Sequence, residues 1–370
     1  MTRSALLYNP GLHLMGGGER YTFALADVLS DAGFDVTVAG PTLPDTAELA
    51  ARGFSSSARL REVSWSDVSA ATDGSDLFVQ ITAYPPVKSS ARRSFAVVQF
   101  PIGPMRKPML DRFHNQDELP WYRQHRSREW YRTQRQNARS YQYIVYSDYV
   151  RGWLRRRWRV DAAVLAPPVE LGSYSRESKK PTILAVGRFF PEVHRKRHDV
   201  LIEAFRSLSD SIPASWQFVL VGGVDRNAPG AEECVARLES LAEGRAVTLR
   251  INTPQAELQS LYEQATLFWH AAGFGRGRRQ PDQAEHFGIA VVEAMSYGAM
   301  PLVFADGGPR RFVQAGWAEG WRTVEGLVDK SRRLIDDPAA VAERAANASA
   351  ASQEFSERAF GAQARALLLP

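Results

Sequence analysis

Short apolar runs alternate with amphipathic stretches from the first residues onward. Ala5-Leu-Leu-Tyr8 is an apolar run that stops at a glycine-rich loop, residues 11–18. Behind it Tyr21, Ala24, Leu25, Val28 and Leu29 recur with the period of one helix face, and Gly33 stands where that pattern ends. Residues 34–39 then alternate with β-branched side chains, as a half-buried strand does. Strand, glycine loop, helix and strand in that order predict a doubly wound unit. Further buried strands are expected at residues 77–80, 95–99 and 144–146, and the helical patterns between them fit a parallel sheet.

The pattern restarts near residue 181. Thr182-Ile-Leu-Ala-Val186 reads as a first strand, and Val200-Leu-Ile-Glu-Ala-Phe205 sits in the helix that follows. Strands are expected at residues 218–221, 247–251, 267–269 and 301–304. Between the halves, residues 166–181 are rich in proline and small polar residues and read as a linker. The expectation is α/β: two Rossmann-like, doubly wound domains, residues 1–167 and 175–353, with a hinge near 167–180. Ligands of such sheets bind outside the carboxyl ends of the strands, so the site is expected in a cleft between the domains.

Composition narrows the class. The chain has 370 residues, enough for two domains, and with 44% apolar and 24% charged residues it is an ordinary globular sequence. No run of about 18 apolar residues occurs, and the first ten residues lack the features of a signal peptide. The one cysteine, Cys234, excludes an internal disulfide framework and a multi-cysteine metal site. A soluble, cytoplasmic protein is expected.

The net charge of +5 is unevenly spread. Residues 101–160 hold 14 Arg/Lys and 5 Asp/Glu, an excess of 9, over a remainder that carries −4. Trp121, Tyr122, Trp130 and Tyr131 are interleaved with Arg123, Arg126, Arg128 and Arg132, and a second cluster runs Arg151-Gly-Trp-Leu-Arg-Arg-Arg157-Trp-Arg159. Two readings stand. The stretch is a pair of solvated helices with their aromatics on the core, or it contacts an anionic membrane surface or acceptor. No DNA- or RNA-reading module accompanies it, so a nucleic-acid partner is not expected. An anionic acceptor bound there would weaken as salt is raised.

The most informative segment is Glu285-His-Phe-Gly-Ile-Ala-Val-Val-Glu293-Ala-Met-Ser-Tyr-Gly298, followed by Pro301-Leu-Val-Phe and Asp306-Gly-Gly308. With Glu285 in a loop and a helix beginning near Phe287, Glu293 falls about two turns inside. The amides of Phe287, Gly288 and Ile289 then form an anion site flanked by two carboxylates. Carboxylates accept pairs of hydroxyl hydrogen bonds, so this arrangement suits a sugar, a phosphate and a ribose.

Here the chain resembles glycosyltransferase family 4, which has the GT-B fold and carries a Glu-x7-Glu motif in this setting. The resemblance spans nearly the whole chain: Gly16-Gly-Gly-Glu-Arg20, Val186-Gly-Arg188, residues 196–205 and 219–223, Leu261-Tyr262, residues 269–275 and residues 285–308. Residues 354–370 resemble the family's closing helix, which crosses back to the first domain. By that resemblance Glu285 binds hydroxyls of the donor sugar, Glu293 binds the ribose, and Gly288 and Ile289 offer N–H groups to the diphosphate. Arg188 and Lys196 match the family's diphosphate-binding cations, which offset the charge that builds on the leaving oxygen. Gly17 and Gly18 belong to the glycine loop that faces donor diphosphate and acceptor. Gly222, Thr253 and Phe287 fall on the donor side, Arg20 on the acceptor side. His270 reads equally well as structural or functional.

Three positions depart from the family pattern. The usual catalytic-site His is replaced by Gln99, which positions substrate and transfers no proton. Arg197 follows the basic residue where Gly is usual, and residues 190–193 are a short insertion, so Arg195 competes with Lys196 for the phosphate. Arg311 stands near where relatives carry an acid. The resemblance implies a retaining hexosyltransferase that uses a nucleotide-diphosphate sugar and no further cofactor. GDP-mannose is the first expectation, from the Glu-His-Phe-Gly-Ile wording of mannosyltransferases, and a UDP-sugar the second. The acceptor is a glycan or a lipid-linked glycan, with residues 101–160 resting peripherally on an anionic membrane. No Asp-x-Asp motif occurs at a strand end, so no metal is expected. A catalytically silent GT-B protein that binds a sugar nucleotide or a partner enzyme is the alternative.

Overall fold

The computed structural model describes residues 2–14, 16–45, 49, 56–102, 128–189, 196–224, 229–276 and 280–369. These form two compact units, Met1–Pro168 with Phe360–Pro370, and Val169–Ala359.

The first unit is built on a seven-stranded sheet, order β3-β2-β1-β4-β5-β6-β7, with every neighbouring pair parallel. Its strands are β1 Arg3–Tyr8, β2 Phe34–Gly40, β3 Arg59–Glu62, β4 Leu77–Thr82, β5 Arg93–Val98, β6 Tyr141–Val145 and β7 Ala163–Val164. The second unit has a six-stranded parallel sheet, order β10-β9-β8-β11-β12-β13. These strands are β8 Lys180–Val186, β9 Gln217–Gly222, β10 Val247–Ile251, β11 Ala265–His270, β12 Met300–Phe304 and β13 Glu319–Trp321. Each sheet reverses its winding once, between β1 and β4 and between β8 and β11. Such a reversal opens a crevice outside the strand ends where ligands bind.

The central strands were readable because both faces are buried and the sequence is mostly apolar: Leu77–Thr82 is buried at every position, with Gln80 and Thr82 its polar members. Three strands were not anticipated, Arg59–Glu62, Ala163–Val164 and Glu319–Trp321. All three are sheet edges. An edge strand needs little apolar surface, and the run Arg-Leu-Arg-Glu keeps charges along a row of unpaired backbone groups. Residues 99 and 146 lie just past their strands, which end at Val98 and Val145.

The core of the second unit is aromatic. Phe205, Phe218 and Trp269 form a ring cluster with centroids 5.2–6.5 Å apart, and the Trp269 indole N–H donates to Ser331 Oγ at 3.0 Å. Burying a side chain of this size contributes about 2–3 kcal/mol, so this cluster anchors the strand that ends at His270. Lys179, just before β8, points its ammonium into the unit and donates to the carbonyls of Ala265 (2.9 Å), Tyr297 (2.7 Å) and, weakly, Tyr262 (3.5 Å). Burial pushes its pKa down to about 8.

The last helix, Glu357–Leu368, contributes to the first unit from Phe360 onward. Phe360 sets its ring edge-on to Tyr21 at 5.1 Å, and Arg93 Nη1 donates to the carbonyl of Leu368 at 2.7 Å. Among the described residues no helix is long and apolar enough to cross a membrane.

Candidate functional site

Three predicted or suspected residues meet at the reversal point of the second sheet. Lys196 lies in the connection after β8, His270 is the last residue of β11, and Glu285 lies in the loop after it. Lys196 Nζ donates to Glu285 Oε2 at 2.5 Å, and His270 Nε2 stands 3.2 Å from the same oxygen. The Lys196 stem passes directly over Gly187, where a Cβ would fall 2.6 Å from Lys196 Cγ. Gly187 is therefore glycine because the lysine lies on it. Arg188, the next residue, is exposed at the end of the same strand. Residues 190–195, including Arg195, lie outside the described residues; among the described residues Lys196 reaches Glu285.

The electrostatics follow from this geometry. Burial pushes the Glu285 carboxyl up. The Lys196 ammonium and the His270 hydrogen bond outweigh it and hold Glu285 well below the usual carboxylate range. Burial also pushes His270 down, more than the bond to Glu285 raises it, so the imidazole is neutral at pH 7. His198 is pushed down to about 3 by burial and by the lysine charge. The ammonium, with two neutral imidazoles near it, faces one ionised carboxylate.

Arg197 takes a left-handed backbone, φ 55°, at the position where the family's Gly is usual. That conformation costs a non-glycine residue about 1–2 kcal/mol. Its side chain offsets the cost: Nε and Nη2 donate to Asp199 at 3.1 and 3.3 Å, and Nη1 donates to the Phe274 carbonyl at 2.6 Å. Arg197 thus ties the Lys196 turn to the loop after β11.

The helix carrying the second carboxylate is Ile289–Ser296, shorter at its start than the expected helix from Phe287. Gly288 precedes it with φ 105°, a left-handed residue that stops the helix from extending backward. Glu293 therefore lies about one turn inside, not two. Its Oε2 accepts from the Tyr262 hydroxyl at 2.8 Å, and Tyr262 stacks on Tyr297 with ring centroids 5.8 Å apart. The Phe287 side chain is buried edge-on against Phe312 and Phe355, so it anchors the turn whose amides precede the helix. Gly307 and Gly308 close over the other side. A Cβ on either would overlap the backbone of Glu285 or His286, and Gly308 N–H donates to the Glu285 carbonyl at 2.7 Å.

The remaining donor-side candidates hold the neighbouring loops. Gly222 lets the Gly187 carbonyl approach, where any Cβ would collide. Thr253 follows Asn252, whose left-handed backbone and side-chain bonds to Val224 (2.8 Å from its N–H, 3.3 Å to its carbonyl) join the ends of β9 and β10. Arg311 pairs with Glu354 at 3.0 Å and lies over the Phe355 ring.

In the first unit the glycine loop opens the helix Gly17–Asp31 after β1. Glu19 is buried; it accepts from the Gly16 N–H at 2.6 Å and from Asn9 Nδ2 at 3.2 Å, so it caps the helix start. A Cβ on Gly18 would overlap the Gln99 amide, and Gln99 Nε2 donates to Tyr146 Oη at 3.4 Å. Gln99 therefore lies on the glycine loop at the first sheet's reversal point. Arg20 is half-buried on the same helix, one turn from its start.

The basic stretch is only partly described, since residues 103–127 and the side chains of residues 128–131 lie outside the described residues. In the second cluster the charge is less available than the count implies. Arg151 and Arg155 both make two-pronged bonds to Asp161, one residue beyond the window, at 2.8–3.1 Å. Arg157 donates to the Pro101 carbonyl at 2.7 Å and covers Phe100 and Trp153. Among the described residues no group of three or more His, Cys, Asp or Glu side chains is arranged to hold a metal ion.

Sequence reasoning left His270 undecided and overlooked the tie made by Tyr262. A histidine at the end of a buried strand, fifteen residues before Glu285, was the available signal for the first. Tyr262 entered only through the resemblance, with no role attached to it.

Known protein families and structures match this chain. The family model described as glycosyl transferases group 1 matches residues 170–354, and that described as Glycosyltransferase Family 4 matches residues 15–172. A GDP-Man:Man(3)GlcNAc(2)-PP-Dol alpha-1,2-mannosyltransferase of Homo sapiens is 30% identical over 184 residues, 45% of this chain and 34% of that protein. The chain thus spans about a third of the length of the curated relatives it matches. A solved structure of Anabaena Alr3699/HepE with UDP and glucose has a TM-score of 0.65 at 16% identity, covering 98% of both chains. A glycosyltransferase from Rickettsia africae has a TM-score of 0.71 at 14% identity, covering 100% of this chain and 99% of the other. The fold is GT-B, with two Rossmann-like parallel sheets. With one family model over the segments that carry Lys196, Glu285 and Glu293 and the other over the glycine loop and Gln99, the chain belongs to glycosyltransferase family 4, enzymes that transfer sugar from a nucleotide-sugar donor.

Proposed function

We propose that this chain is a retaining hexosyltransferase that takes its sugar from GDP-mannose, with a UDP-sugar as the second choice of donor. The observation that carries this reading is the Lys196–Glu285–His270 cluster at the second sheet's reversal point, beside the helix that bears Glu293. Glu285, held ionised, accepts hydrogen bonds from donor-sugar hydroxyls. Glu293 accepts from the ribose, exchanging its bond with Tyr262. The N–H groups of Gly288 and Ile289, with Lys196 and Arg188, take the diphosphate. Gly222 and Thr253 hold the loops on the base side, and Phe287 anchors the amide turn.

The C1–O bond to the β-phosphate breaks while the acceptor oxygen bonds C1 from the same face. The acceptor proton passes to the departing diphosphate, so no enzymic base is consumed and Gln99 is compatible with the reaction. Cations fixed before the reaction stabilise the charge that develops on the leaving oxygen. Gln99, Arg20 and the loop with Gly17 and Gly18 receive the acceptor, a hydroxyl of a glycan or lipid-linked glycan. The relatives' GDP-Man and PP-Dol chemistry supports a mannosyl donor and a lipid-linked acceptor. The basic excess of residues 101–160 supports a cytoplasmic protein that rests peripherally on an anionic membrane face.

Glu285→Ala tests the reading. It should abolish transfer and lower transfer-independent donor hydrolysis, while GDP or UDP still raises the melting temperature. Transfer at wild-type rate by Glu285→Ala would overturn it. Failure of every GDP-, UDP-, ADP- and dTDP-sugar to shift the transition would do the same.

A further inference from the structure

We propose that His270 is a positioning residue for Glu285: as the neutral tautomer protonated on Nε2, it holds Glu285 Oε2 in place when Lys196 is drawn to the donor's phosphates. The inference rests on the reading of Glu285 as the sugar-binding carboxylate.

Three observations support it. Lys196 and His270 converge on one oxygen, at 2.5 and 3.2 Å, so Oε2 has two donors of different character. The ammonium sits on a flexible stem and has three N–H bonds, which it can share between a carboxylate and a phosphate. The imidazole has one N–H, sits at the end of a buried strand and is 4% exposed. A bound diphosphate therefore competes for Lys196 and leaves the His270 contact alone.

The other ring nitrogen settles the tautomer. Nδ1 is buried and has no hydrogen-bond partner among the described residues. A proton there would be an unsatisfied buried donor, whereas a bare lone pair costs less, so the proton belongs on Nε2, facing the carboxylate. The charged neighbours are Lys196 and Glu285, and the neutral His198 is close enough to interact with the ring as well. The lysine disfavours a second positive charge at this place. His270 thus acts as a fixed neutral donor and takes no part in proton transfer to substrate.

The test uses the full chain with His270→Leu, which removes the donor, and His270→Gln, whose amide nitrogen restores one at a similar reach. Glu285→Ala is measured alongside. Probes are GDP, GDP-mannose, UDP and UDP-glucose by calorimetry, with transfer kinetics for the donor that turns over. His270→Leu should bind the nucleoside diphosphate like wild type. It should lose the added affinity of the nucleotide sugar and drop kcat by roughly 10- to 100-fold, the loss of one hydrogen bond to a charged group. His270→Gln should recover most of both. A merely structural role would instead lower diphosphate binding and sugar binding together, without rescue by Gln, and would overturn the proposal. Wild-type kcat in His270→Leu with an inactive Glu285→Ala overturns it while the reading of Glu285 stands. A fully active Glu285→Ala removes both. Nitrogen-15 NMR of the wild-type ring is the check that needs no variant: protonation at Nε2 with a bare Nδ1 from about pH 6 to 8 is expected. A ring protonated on Nδ1, or titrating in that range, overturns the proposal.

Discussion

Lys196→Met isolates the energetics of the ion pair at the site. Its side chain and that of Glu285 are 28% and 17% exposed, so the pair is substantially but not wholly withdrawn from water. Removing one partner from a fully buried pair costs about 3–5 kcal/mol, because the remaining charge is uncompensated. Residual exposure and the surviving His270 donor reduce this to about 2 kcal/mol at neutral pH. For a unit of this size that is a fall of about 4–8 °C in its melting temperature. The pH dependence identifies the cause. In wild type the folded Glu285 lies below its unfolded value, so the stability it contributes is present above about pH 4.3 and lost as pH falls through its folded value. Without Lys196 the burial effect is opposed by His270 alone, and the carboxyl moves up. The deficit of the variant should therefore shrink between pH 7.5 and pH 5. Lys196→Met/Glu285→Gln, which carries no uncompensated charge, should recover part of the loss. Thermal unfolding followed by circular dichroism at both pH values gives the numbers. An equal deficit at the two pH values, or a double variant no more stable than Lys196→Met, would refute the reasoning.

Three further predictions concern the backbone, the first two of them at the site. Arg197→Gly and Arg197→Ala lose the same side-chain bonds, but only the glycine relieves the left-handed φ, so the glycine variant should be the more stable by about 1–2 kcal/mol in denaturant unfolding. Gly308→Ala should lose about 3 kcal/mol and most transfer activity, since its Cβ meets the fixed carbonyl of His286. Gly152→Ala, in the middle of the helix Asp148–Arg157 with open space around it, should instead gain about 0.5–1 kcal/mol in the same assay.

What the sequence disclosed and what it hid follow a physical line. Strands such as Leu77–Thr82 and Gln217–Gly222 were legible because burial on both faces demands a largely apolar run. Arg59–Glu62 was hidden because an edge strand is held by backbone bonds and leaves no such mark. At the site, Glu285 and Glu293 stood out through their spacing and the glycines that follow. The start of the helix between them was misplaced, since Phe287 fits a helix by composition and only the left-handed Gly288 forbids it. Bonds made across the fold, such as Tyr262 to Glu293 over 31 positions, leave no local periodicity to read. Neither does the partial neutralisation of Arg151 and Arg155 by the single carboxylate of Asp161, which lies one residue past the basic window.

The Lys179 ammonium has a consequence for local opening. It meets three carbonyls with three N–H bonds, at the ends of the helices Gln255–Gln264 and Ile289–Ser296 and at the start of β11. Above about pH 8 the neutral amine has two N–H bonds for the same three acceptors. The longest bond, to the Tyr262 carbonyl, is the one relinquished. The last turn of the helix that presents Tyr262 to Glu293 then frays before its neighbour, and amide hydrogen exchange there should outrun that of residues 289–296 in mild alkali.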